Sequence, residues 1–134
     1  MVESDIKTEL NLLLRARYPV ISISAKEEEP AKGMIESVCN IRKKKLFYWS
    51  ETKGKYGVNS QNTGEYEPMG PDEVLNWFSS ARFSEMVNGE VKEHTRAILV
   101  LLDYDHFMED PSIQRLIKEV HGEIKNTMKN IILL

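Results

Sequence analysis

Arg96-Ala-Ile-Leu-Val-Leu-Leu102, running on into Asp103-Tyr-Asp-His-Phe107, decides how the rest of the chain reads. Its apolar side chains do not alternate with polar ones. A strand with one wet face alternates. An unbroken apolar run of this length is covered on both faces, as the central strands of a parallel sheet are. Downstream, Asp110-Pro111 opens a helix with Ile113, Leu116, Ile117, Val120 and Ile124 on its buried side, and Asn130-Ile-Ile-Leu-Leu134 is another strand. Upstream, Gly70-Pro-Asp72 starts a helix that carries Val74, Leu75 and Phe78 on one side. Residues 80–94 between them are polar and poorly patterned, with Asn88-Gly89 marking a turn.

Further upstream, Lys53-Gly-Lys-Tyr-Gly57 and Asn59-Ser-Gln-Asn-Thr-Gly64 make residues 51–70 turn-rich, consistent with a small hairpin or an extended loop. Leu46-Phe-Tyr-Trp49 and Val20-Ile-Ser-Ile-Ser24 are strands. Between them a helix starts at Lys26-Glu-Glu-Glu-Pro30 and continues through Met34, Ile35, Val38 and Ile41. Its acids sit in the first turn and Arg42-Lys-Lys-Lys45 at its end, as the helix dipole favours. Pro30 fits because the first turn has no intrahelical donor to lose. A first helix runs from about Asp5 to Arg17, with Ile6, Leu10, Leu13 and Leu14 on one stripe, and Pro19 ends it.

The order is helix, then strand–helix–strand–helix–strand–helix–strand. Alternation of this kind means parallel pairing through crossovers, and the expected fold is a three-layer α/β sandwich with a mostly parallel sheet. The chain is 134 residues long, enough for one domain over residues 1–134. Because it stops at the last residue of a buried strand, it reads as cut from something longer.

Composition excludes several classes. The chain is 41% hydrophobic and 29% charged, the balance of a globular protein. Eighteen basic against twenty-one acidic residues give a net charge of −3, against the basic footprint of a dedicated nucleic-acid binder. One cysteine, Cys39, rules out an internal disulfide, and with three histidines no cysteine-rich zinc site is expected. No apolar run approaches the roughly 20 residues of a membrane helix, and the polar, acidic start is not a signal peptide. A cytosolic setting, or an equivalent compartment, follows.

In an open parallel sheet, ligands bind beyond the carboxyl ends of the strands. The loop after the first strand, Ser24-Ala-Lys-Glu-Glu-Glu29, is where a phosphate-binding loop would lie, with glycines that let backbone donors reach phosphates. It has no glycine and three carboxylates. Gly54-Lys55 is followed by Tyr56, with no glycine five positions before it, so a Walker A motif is absent. Apolar residues ending in Asp103 match a Walker B strand, and also any buried strand reaching solvent. A sharper variant joins the two loops. Glu27, Glu28 or Glu29 with Asp103 and Asp105 would hold Mg²⁺ as in Toprim-type nucleotidyl-transfer enzymes and nucleases, with Glu28, Asp103 and Asp105 as the metal ligands. Against it, the glutamate lacks a following glycine.

His106 is a general-base candidate, as histidine is by residue type, but no serine or cysteine is marked as its nucleophile. Cys39 reads as a small core residue, and Arg42–Lys45, which could touch phosphate, reads first as a solvated helix end. Phe47, Tyr48, Trp49, Trp77 and Phe78 read as core. Trp49 and Tyr56, beside the glycine-rich loop, are the aromatics with a partner-facing alternative.

Several phrases in order carry a family resemblance: Glu9-Leu-Asn-Leu-Leu-Leu-Arg-Ala-Arg-Tyr-Pro-Val-Ile21 leading into Glu27-Glu-Glu29, Phe47-Tyr-Trp-Ser50 before Thr52-Lys-Gly54, then Leu101-Leu-Asp-Tyr-Asp-His-Phe107, Asp110-Pro111 and the closing Ile-Ile-Leu-Leu. Over residues 9–134 the chain resembles the amino-terminal domain of the AAA-type ATPases encoded by a conserved hypothetical reading frame of plastid and cyanobacterial genomes. The resemblance implies a degenerate RecA-like core without Walker A, in which Asp103 stands at the Walker B-like position. It implies that Walker A, Walker B and the arginine finger lie in a second, carboxyl-terminal ATPase domain that uses ATP and Mg²⁺. No catalytic, cofactor-binding or metal residue is carried over onto this chain. Pro30 departs from the basic residue expected after the glutamates. The implied role is a non-catalytic accessory domain that supports homo-oligomer assembly or binding of a protein partner, in the cytosol or plastid stroma.

Overall fold

In the computed structural model, which describes residues 2–58 and 66–134 and side chains from Lys7 onward, the central run is β6 of a five-stranded sheet. The elements are α1 (Val2–Arg15), β1 (Val20–Ser22), α2 (Glu28–Arg42), β2 (Lys45–Ser50), β3 (Gly54–Val58), α3 (Pro71–Ser80), β4 (Phe83–Val87), β5 (Glu90–His94), β6 (Ala97–Leu101), a 3-10 turn (Phe107–Glu109), α4 (Pro111–Ile124) and β7 (Lys129–Leu133). The sheet order is β1-β7-β6-β2-β3, with β1, β7, β6 and β2 parallel and β3 antiparallel to β2. The chain crosses from β1 out to β2 through α2, then steps back inward to β6 and β7. That reversal carries α3 and α4 to the face opposite α2.

Two cores result, and the strands feed both. On one side Ile98, Val100 and Leu102 of the β6 run join Ile21, Leu46, Tyr48 and Ile132 under Leu10 and Leu14 of α1 and Ile35, Val38 and Cys39 of α2. On the other, Ala97, Leu99 and Leu101 join Trp49 and Ile131 under Val74, Leu75 and Phe78 of α3 and Ile113, Val120 and Ile124 of α4. Every β6 residue is buried, which is why its sequence does not alternate. The three-layer α/β sandwich is the fold.

The helix ends follow from local chemistry. Asp110 accepts a hydrogen bond from the Ser112 amide at 2.8 Å and Pro111 takes the first position of α4. Pro30 is the third residue of α2, within its first turn. Lys43 closes α2 in the left-handed region at φ 55°, so that the Lys44 amide reaches back to the Cys39 carbonyl at 3.0 Å.

Two expectations need correction, those for Ile41 and for residues 80–94. Ile41 is 66% exposed, and the inner stripe of α2 is Ala31, Ile35, Val38 and Cys39. Trp49 is fully buried, which bears out its reading as core, whereas Tyr56 is half-buried. The polar stretch 80–94 is not featureless: β4 and β5 pair as a separate hairpin around Asn88-Gly89, whose φ of 52° and 80° make a type I′ turn. Phe83 anchors it by stacking on Phe47 at 5.4 Å. Of the hairpin or loop expected over residues 51–70, β3 supplies the return strand, Glu67 bridges to Lys55, and 59–65 lie outside the described residues.

Candidate functional site

The carboxyl edge of the parallel strands is the expected place for chemistry. After β1 the Ile23 amide still donates to the Leu133 carbonyl at 2.9 Å, and the chain then rises through Ser24, Ala25 and Lys26 into α2. Glu27 is the N-cap residue but its side chain makes no capping bond. Lys32, one turn into the helix, lies 3.5 Å from the Glu28 carboxylate and 3.7 Å from that of Glu29, and its ammonium also sits 5.0 Å from the Tyr48 ring centre. These glutamates are tied to their own helix.

After β6, Asp103 adopts a left-handed backbone at φ 52°, a conformation Asp tolerates better than most residues, and its side chain is exposed. Tyr104 turns back inward: it is buried, its hydroxyl donates to the Pro71 carbonyl at 2.8 Å, and burial pushes its ionisation well above the usual phenol range. Asp105 is exposed. His106 packs on Phe107 with ring centres 3.9 Å apart and points its Nε2 at the Glu51 carboxylate, 3.5 Å away. Both members of that pair are more than half exposed, so a charged His106 would gain at most about 1 kcal/mol from it.

Glu28, Asp103 and Asp105 are therefore not assembled as a metal centre: among the described residues, no three His, Cys, Asp or Glu side chains come together to hold an ion. The sheet order explains this. β7 lies between β1 and β6, so the two loops start about 10 Å apart, two strand spacings. The contact the structure does make, His106 with Glu51, joins the loops after β6 and β2, which are direct neighbours.

The β1–α2 turn lacks the features of a phosphate cradle. A phosphate cradle needs bare amide donors at a helix start, with glycines that keep Cβ atoms out of the way. Here each position carries a side chain and the first turn of α2 is acidic. Cys39 is buried in the α1–α2 core, and burial pushes its thiol up to about 12. A maleimide reagent at pH 8 is accordingly expected to leave the native thiol unmodified and to label it completely in urea; rapid native labelling, followed by mass, would contradict this burial.

A groove of about 1080 Å³ lies elsewhere, between the end of α2, the β2–β3 pair and the β4–β5 hairpin. Its acids already have partners. Glu67 pairs with Lys55 at 2.8 Å, Glu85 with Arg96, and Glu36 accepts from the Tyr48 hydroxyl at 3.1 Å.

Sequence reading also missed two polar residues that become core. Lys129 is 4% exposed and its ammonium donates to the Phe78 and Ser79 carbonyls, 2.8 and 3.0 Å away, at the end of α3. Asn130, equally buried, donates to the Tyr18 carbonyl at 2.8 Å. Their partners are far off in sequence, so no local signal marks them.

No helix of the described residues is long and apolar enough to cross a membrane. A family model described as the SpoVK-like AAA ATPase, N-terminal domain, matches residues 6–134. Among curated relatives, the uncharacterized AAA domain-containing protein ycf46 of Trieres chinensis is 32% identical over 127 residues, that of Pyropia yezoensis 28% and that of Guillardia theta 24%. Each comparison takes in 94% of this chain and 23% of the relative, so the chain spans under a quarter of the length of these proteins. No solved structure matches it.

Proposed function

The chain belongs to the family of SpoVK-like AAA ATPase N-terminal domains, and from that membership we propose that it is a non-catalytic accessory domain of a longer AAA ATPase. It positions or regulates an ATPase module that lies elsewhere in the full-length protein. ATP and Mg²⁺ belong to that module. The domain's own work is to support homo-oligomer assembly or to bind a protein partner, in the cytosol or the plastid stroma. One observation carries the reading: the β1–α2 turn has no glycine and presents Glu28 and Glu29 at the helix start, the place where a phosphate would need unscreened amides. A Toprim-like reading would need Glu28, Asp103 and Asp105 in one cluster, and nothing in the arrangement of their loops favours it.

The test is a titration of the ¹⁵N-labelled domain with ATP and Mg²⁺, following the backbone amides of Ile23 to Glu29 alongside calorimetry. Those amides are expected to stay in place up to roughly millimolar ATP, the range of no useful affinity. Saturable shifts of the same amides with micromolar affinity would reverse the assignment.

A further inference from the structure

We propose that the amino edge of the sheet, opposite the edge described above, holds a phosphate-type oxyanion between Arg15, Arg17, Arg42 and Lys44; this goes beyond the accessory-domain reading and does not depend on it. α1 and α2 run the same way along one face, because β1 and β2, which follow them, are parallel members of one sheet. Their carboxyl ends therefore meet at the edge where those strands begin. A cavity of about 270 Å³ opens there, with these four cations, Thr127 and Asn130 in its walls and no carboxylate among its lining residues. Among the described residues, none of the four forms an ion pair with an acid.

Basic residues at helix ends are ordinarily explained by the dipole, with their charged heads in water. The two inner cations here are not placed that way. The Lys44 ammonium donates to the Met128 carbonyl at 2.6 Å and to Asn130 Oδ1 at 3.0 Å, and Asn130 is itself locked by its bond to Tyr18. Arg42 Nε and Nη2 donate to the side chain and main-chain oxygens of Asn11 at 3.1 and 3.0 Å. That uses two of the five guanidinium donors and fixes the plane of the fork, leaving the others. Neutral acceptors thus orient both groups without neutralising either. Burial, with Arg42, Arg96 and Arg17 crowding it, lowers the Lys44 ammonium to about 8. A bound anion would offset both the desolvation and the repulsion.

The cavity is at the small end for ligand sites, which run from roughly 300 Å³ upward, and so suits one or two phosphate groups rather than an enclosed nucleoside. Phosphate oxygens match the planar arginine fork, and Arg15 and Arg17, both exposed, line the same cavity as the fixed pair. Free phosphate or pyrophosphate and the phosphate end of a nucleotide share this chemistry.

The experiment is a titration of the ¹⁵N-labelled chain with inorganic pyrophosphate, phosphate and ADP, without Mg²⁺ and at constant ionic strength. Saturable shifts are expected at the amides of Arg17, Lys44, Thr127 and Met128. Binding should weaken by about tenfold or more in an Arg15→Gln/Arg17→Gln variant, whose lost side chains are exposed and whose melting temperature should not change. Shifts with pyrophosphate but not ADP identify the free anion as the source; equal shifts with ADP identify the nucleotide's phosphates. Shifts that stay linear to about 10 mM, or that are the same in the variant, overturn the site.

Discussion

Replacing Gly54 with alanine is expected to destabilise the domain by about 2–5 kcal/mol, the sum of a left-handed backbone penalty of roughly 1–2 and an overpacking cost of roughly 1–3. Gly54 opens β3 at φ +77°, and a Cβ placed on it would lie 2.2 Å from the Glu67 carbonyl oxygen and 2.8 Å from Pro68 Cα. Those atoms are backbone and cannot swing aside. Glu67 is fastened to Lys55 by two main-chain hydrogen bonds of 2.8 Å and by an ion pair of 2.8 Å, so the clash would have to break the bridge or push β3 off β2. Gly89 supplies the comparison. It has a similar φ of +80° in the β4–β5 turn but nothing within 4 Å of its Cβ position, so Gly89→Ala should cost only the backbone part, about 1–2 kcal/mol. Urea unfolding of both variants separates crowding from conformation. Equal losses would mean that the segment around Glu67 yields, and that it does not pin the β2–β3 pair.

How much of this was legible in the sequence depends on how local each cause is. β6, α3 and α4 were readable because burial imprints a run or a period on contiguous residues, and Asp110-Pro111 marks its own helix start. The β4–β5 hairpin was not, beyond its Asn88-Gly89 turn. Met86 and Val91 face each other across it and are 66% and 68% exposed, so neither strand has the apolar face that would reveal it, and Phe83 alone anchors it in the core. At the carboxyl edge, each acid was correctly placed at the end of a strand, but whether two strand ends meet is set by lateral order, which the insertion of β7 between β1 and β6 decides. The same holds for the cations. Arg15 and Arg17 end one helix and Arg42 and Lys44 another; a phosphate contact was legible as an alternative for Arg42–Lys45, but that the two groups meet at one cavity is set by the parallel packing of α1 and α2.

Trp49, which reads as core with a partner-facing alternative, takes the core position and is a pillar of the fold. Its ring is fully buried, edge-on to Tyr104 at 5.5 Å and to Phe107 at 5.7 Å, and its indole N–H donates to the Met69 carbonyl at 2.9 Å. Tyr104 meanwhile bonds the Pro71 carbonyl. Two aromatic donors, from β2 and from the turn after β6, thus hold the start of α3 against the sheet. Trp49→Ala is expected to cost about 3–5 kcal/mol, from lost burial, the cavity left behind and the orphaned Met69 carbonyl. A domain like this holds about 5–15 kcal/mol in all, so the variant would be near the edge of folding at growth temperature. Trp49→Phe keeps most of the packing and removes the donor, and should cost about 1–3 kcal/mol. Hydrogen exchange in the first turn of α3 should accelerate in both variants before the rest of the sheet opens. A partner-facing tryptophan would behave otherwise: its alanine variant would stay within about 0.5 kcal/mol of the parent, as surface substitutions do, and α3 would keep its protection.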